Sequence, residues 1–170
     1  MMTEFPRRIG QSRAFWGACA LALLALSPSA QAQQGGSFDT LIGTWSGTGT
    51  VSLASGAKER IRCQAAYALG NDANNLRSAL RCASDSYKFE LNSDVNSRGG
   101  TLSGAWREVS RGLTGALSGT LKGADVQARI DSPGFGADLS LVTRGTRQTV
   151  TLSSQSTELT GVSITLTKQR

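Results

Sequence analysis

Two cysteines and a few carboxylates carry most of the reactive chemistry in this 170-residue chain, because it contains no histidine. That absence excludes a His-based catalytic triad, a His-ligated zinc and a His-ligated haem. Cys63 and Cys82 lack the Cys-x-x-Cys spacing of a redox-active pair, and their separation suits a structural bond. A hairpin centred between Asp72 and Ala73 sets Cys63 opposite Cys82, Leu69 opposite Leu76, Ala65 opposite Leu80 and Ile61 opposite Ser84. Opposed residues at a non-hydrogen-bonded site lie about 4.5–5.5 Å apart, within disulfide reach. In the chain-entropy model a loop of this length stabilises by roughly 3 kcal/mol.

Among the carboxylates, Glu108 shares a face with Trp106, and Glu59 shares one with Ile61 and Cys63. Each is placed near a rim, either to anchor a ligand amine or hydroxyl or to sit in water where its strand leaves the core. No spacing brings two carboxyls to the separation a glycosidase needs, and Asp125, Asp131 and Asp138 form no calcium-loop pattern. No nucleophile, base and orienting group can be assembled. The residues therefore predict no catalytic set, no metal and no cofactor.

What positions these residues begins after an export segment. Arg7, Arg8 and Arg13 precede an apolar run from Ala14 to Leu26, Pro28 breaks it, and Ala30-Gln31-Ala32 offers a signal-peptidase site. The run has 13 residues, short of the roughly 20 that cross a bilayer as a helix. Residues 1–32 read as a secretory signal, 33–37 as a flexible lead-in and 38–170 as one domain, periplasmic or secreted. No transmembrane segment is expected in the mature chain. It carries 15 basic and 11 acidic residues, scattered without a run, so no nucleic-acid surface is expected.

From Leu41 onward the chain divides into about ten short segments of period-two alternation, separated by turn residues such as Gly70-Asn71-Asp72 and Ser132-Pro133-Gly134. Trp45, Gly47, Gly49, Val51 and Leu53 share one face; so do Ile61, Cys63, Ala65, Tyr67 and Leu69. Leu76, Leu80 and Cys82 lead into Tyr87, Phe89, Leu91 and Val95, and Leu113, Gly115, Leu117, Gly119 and Leu121 share a later face. No amphipathic helix of ten residues follows the signal. The predicted fold is all-β, an antiparallel up-and-down barrel of about 8–10 short strands with one disulfide. Outward Thr, Ser, Arg, Gln and Lys argue against a membrane barrel. Gly47, Gly49, Gly104, Gly115 and Gly119 fall at inward positions, where they either make room for Trp45 and Trp106 or leave a void for a ligand.

The opening Leu41-Ile-Gly-Thr-Trp45-Ser-Gly-Thr-Gly-Thr50 resembles the first strand of calycin-type barrels, which include lipocalins, fatty-acid-binding proteins, avidins and nitrobindin-like proteins. The shared mark is Gly43-x-Trp45. The resemblance implies that Trp45 closes one barrel end and that a basic residue of the last strand, Lys168 or Arg170, crosses it. The local match is to the nitrobindin-like opening, whose relatives bind haem through a proximal histidine; with no histidine here, that activity is not carried over. Avidin-like domains line their biotin site with several tryptophans, and with only Trp45 and Trp106 left after signal removal biotin binding is not carried over either. The reading favoured is a binding protein for a small apolar ligand, lined by Trp45, Tyr67, Phe89 and Trp106, with Glu108 or Tyr67 orienting one polar group. The alternative is a filled barrel, an interaction or enzyme-inhibitor protein whose partner meets loops 70–75, 96–100 and 132–136.

Overall fold

A computed structural model describes residues 37–86, 88–155 and 159–170. The segment read as a signal (Cys19 included), residues 33–36 of the expected lead-in and Tyr87 lie outside the described residues. Ser37 caps a single turn of 3₁₀ helix, Phe38–Thr40, its hydroxyl oxygen accepting from the Asp39 N–H at 3.2 Å. Ten strands follow: β1 Gly43–Leu53, β2 Lys58–Leu69, β3 Asn75–Ala83, β4 Lys88–Arg98, β5 Thr101–Glu108, β6 Leu113–Lys122, β7 Asp125–Ser132, β8 Phe135–Arg144, β9 Arg147–Ser154 and β10 Leu159–Lys168.

Each strand pairs antiparallel with its sequence neighbours, and β10 pairs with β1 to close the barrel. Up-and-down closure of this kind leaves no free strand edge. The β2–β3 hairpin has the derived register, with Cys63 opposite Cys82, Ala65 opposite Leu80 and Leu69 opposite Leu76. The cysteines are bonded, with Cα atoms 4.1 Å apart. The ladder stops one step short of the expected Ile61–Ser84 pair, at Arg62 and Ala83. Ser84 instead donates its hydroxyl to Glu59 at 2.7 Å.

Alternation carries the core. Val126, Ala128 and Ile130 are buried while Gln127 and Arg129 face water, and Val162, Ile164 and Leu166 alternate with Ser163 and Thr165 in the same way. Leu69 and Leu113 depart from the expected inward set: they are 41% and 42% exposed, because β2 ends and β6 begins there, at the two barrel rims. The inward glycines serve neither alternative fully. A Cβ on Gly47 would overlap the Thr165 carbonyl, one on Gly104 the Asp94 carbonyl, and one on Gly119 the Gln127 carbonyl. Each lets the backbone of the adjacent strand pass closely. Only Gly115 makes room for a tryptophan, its missing Cβ lying 2.7 Å from the Trp106 ring. None of these four positions is therefore vacant space beside Trp106.

Candidate functional site

Antiparallel strands place Trp45, the β2–β3 turn and the end of β10 at one barrel end, and the β5–β6 and β7–β8 turns at the other. The first end is plugged. Phe38 and Leu41 are buried beneath the chain entry, and the Trp45 indole donates to the Leu41 carbonyl at 2.8 Å. Lys168 holds its ammonium 5.4 Å from the Trp45 ring centroid, which selects it over Arg170 as the basic side chain crossing that tryptophan. Behind the plug, the Tyr67 hydroxyl donates to Gln148 Oε1 at 2.8 Å, and buried Gln148 donates from Nε2 to Thr143 Oγ1 at 3.2 Å. Burial pushes the Tyr67 phenol well above its ordinary range, and the Gln148 hydrogen bond offsets only part of that shift.

Between plug and mouth lies a cavity of about 160 Å³, bordered by Phe38, Leu41, Tyr67, Leu102, Trp106 and other apolar side chains. It continues toward the far end into a mouth region of about 330 Å³, edged by Glu108, Arg111, Leu113, Phe135 and Leu159. Phe89, Leu91, Trp106, Ile130, Leu152 and Val162 border both. The space has a local cause. Across the wall, Tyr67, Ser78, Ser93, Trp106 and Gly115 are successive register partners on β2 to β6. Serine stands at the two central positions, whereas the inward neighbours along the same strands are Leu76, Leu80, Leu91 and Val95. The two hydroxyls lie 2.7 Å apart in a hydrogen bond.

Trp106 is held from two sides, its indole donating to the Ala116 carbonyl at 3.2 Å and its ring meeting Phe135 edge-on at 6.1 Å. Glu108 faces the mouth but is occupied. Its carboxylate accepts from the backbone N–H of Glu90 at 3.2 Å, Ser110 at 3.1 Å and Arg111 at 2.6 Å, fixing the β5–β6 turn. Burial raises its proton affinity, yet these donors more than offset that and hold the carboxyl below its usual range. The structure thus gathers Tyr67, Phe89 and Trp106 around one cavity and sets Glu108 at its mouth. Trp45 lies beyond the floor formed by Phe38 and Leu41 and does not border the cavity. Sequence reasoning missed Ser78 and Ser93; their only signal was a small polar residue at an inward position of an otherwise apolar face.

A larger concavity, about 820 Å³, lies on the outer wall among Ala66, Ala79, Ala105, Arg77 and Arg107, and Ser78, Ser93 and Trp106 border it as well as the inner cavity. It is a shallow trough open to solvent, and Arg77 within it is tied to Asp94 at 3.3 Å. The apolar cavity inside the barrel withdraws more of a ligand from water, which makes it the candidate site.

No protein-family model matches the chain, and no curated protein matches it in sequence. Solved structures do share the barrel. Rv2717c from M. tuberculosis superposes with a TM-score of 0.64 at 17% identity, covering 85% of this chain and 99% of that one. The S-type phycobiliprotein lyase CPES from Guillardia theta superposes at 0.54 with 10% identity, covering 78% and 90%. At these identities the likeness is one of fold alone, that of a closed antiparallel barrel.

Proposed function

We propose that this chain is an exported binding protein that holds a small, largely apolar ligand inside its barrel and catalyses no reaction on it. The observation that carries the reading is the apolar cavity running from Tyr67 past Trp106 to a mouth region of about 330 Å³, within the range of ordinary ligand pockets. Burying apolar ligand surface against these walls contributes about 25 cal/mol per Å². Binding without turnover is supported by the chemistry at the mouth, where Glu108 spends its carboxylate on three backbone donors. Export is supported by the disulfide, a bond of oxidising compartments, and by the basic, apolar and small-residue order of residues 7–32. No helix among the described residues is long and apolar enough to cross a membrane.

The loop-interaction reading has a geometric constraint. Turns 70–75 and 96–100 lie at the plugged end and 132–136 lies at the mouth, so a partner could engage only one set. Native mass spectrometry of the protein recovered from its own exported fraction separates the two readings. A mass excess of a small organic molecule, released on denaturation, supports the cavity. A ligand-free monomer that also fails to take up neutral apolar compounds refutes it.

A further inference from the structure

Accepting the binding reading above, we infer that the cavity selects an uncharged ligand carrying one hydroxyl or carbonyl oxygen, received by the Ser78–Ser93 pair. The two hydroxyls share one hydrogen bond at 2.7 Å, and either can donate it. A hydroxyl supplies one donor hydrogen and two lone pairs. The shared bond therefore uses one hydrogen of the pair and leaves the other, with three lone pairs, at the cavity wall. The Tyr67 hydroxyl, on the next strand in the same row, gives its hydrogen to Gln148 and keeps acceptor capacity. The polar equipment is thus one O–H donor beside several acceptors, which matches a neutral oxygen.

Charge is excluded by the remainder of the wall. Among the described residues no charged side chain borders the inner cavity, whose other linings are aliphatic or aromatic. The charged groups at the site, Glu108 and Arg111, stand at the mouth. An ionised carboxylate or ammonium brought to the serines loses its hydration without a counter-charge, whereas a hydroxyl or carbonyl exchanges its water partner for serine. Trp106, the next register partner of Ser93, sets an aromatic wall against whatever apolar body carries that oxygen.

The test uses three probes of nearly equal shape, naphthalene, 2-naphthol and 2-naphthoate, titrated at pH 7 against the disulfide-bonded mature chain with tryptophan fluorescence as readout. The expected result is 2-naphthol binding at least about fivefold more tightly than naphthalene and at least about tenfold more tightly than 2-naphthoate. In the Ser78→Ala/Ser93→Ala double variant, checked for a retained cooperative unfolding transition, the 2-naphthol to naphthalene ratio falls to about one. Should that variant not fold, each single Ser→Ala variant is read for the same fall. Equal binding of naphthalene and 2-naphthol, a preference for 2-naphthoate, or a ratio unchanged by the substitutions overturns the inference while leaving the cavity as a binding site. Failure of all three probes to bind removes the binding reading as well.

Discussion

Glu108 shows how one side chain can look functional and be structural. Its carboxylate holds three backbone N–H groups at the β5–β6 turn, so removing its charge leaves part-buried donors poorly served. Glu108→Gln is expected to lower unfolding free energy by about 1–3 kcal/mol near neutral pH, read from urea denaturation. The pH dependence has a definite sign. A carboxyl held below its ordinary range adds stability above the unfolded pKa of about 4.3 and loses it as pH falls through the lower folded value. The difference between wild type and variant should therefore shrink on acidification; a gap that stays constant down to pH 2 contradicts the assignment. Gly115 gives a second residue-scale outcome. A Cβ there meets the Asp131 carbonyl and the Trp106 ring, so Gly115→Ala should cost about 1–3 kcal/mol as overpacking and shift the near-ultraviolet signal of Trp106. At this scale the sequence marked Tyr67, Phe89 and Trp106 because large apolar residues at period two have few other places to go. Ser78 and Ser93 escaped it: serine is common on both faces of these strands, and only strand-to-strand register shows that the two meet inside.

Elements were the most legible level. Ten alternating segments separated by turn residues became ten strands, and the hairpin symmetry about Asp72 and Ala73 fixed both register and disulfide from spacing alone. The arithmetic worked because a one-residue slip turns every inward side chain to solvent, so the apolar pattern admits one register. It failed where pattern stops constraining: at Ser84, past the last paired residues, and at Leu113, where a strand start exposes an apolar side chain. Of the inward glycines, Gly115 makes room for Trp106 as one alternative held, whereas Gly47, Gly104 and Gly119 serve the close passage of a neighbouring strand, which leaves no mark in a single chain's sequence. Cys82→Ala should cost about 2–5 kcal/mol under non-reducing conditions, and thiol titration of the unfolded, unreduced wild type should find neither Cys63 nor Cys82 reactive. At the plugged end, Lys168→Met should lose about 0.5–1 kcal/mol, the scale of an exposed cation–π contact.

For the whole molecule, closure of β1 on β10 makes one wall around one interior, and the two barrel ends have different work. One is stoppered by Phe38, Leu41 and Trp45; the other opens past Leu113 and Phe135. A core filled to ordinary density leaves few voids larger than a water, so a cavity bounded by two serines and a tryptophan is a departure that ligand burial can offset. Closure itself was implied by half-buried strands with short connections. The resemblance put the closed end at Trp45, but the plug of Phe38 and Leu41 beneath it was not legible, because that depends on how the 3₁₀ turn packs before β1. The proposed removal of residues 1–32 is open to a direct check: N-terminal sequencing of the exported form should begin at Gln33, and a start at Met1 contradicts the export reading.

The central claim, that the interior is available to an apolar molecule, is tested most directly by titrating the mature chain with the neutral fluorophore N-phenyl-1-naphthylamine. The account predicts saturable one-to-one binding with energy transfer from Trp106. It also predicts that Leu152→Phe, which adds bulk where the cavity meets its mouth, weakens binding at least about tenfold while thermal unfolding stays cooperative. Absence of saturable binding to the wild type, or equal binding by the folded Leu152→Phe variant, contradicts it.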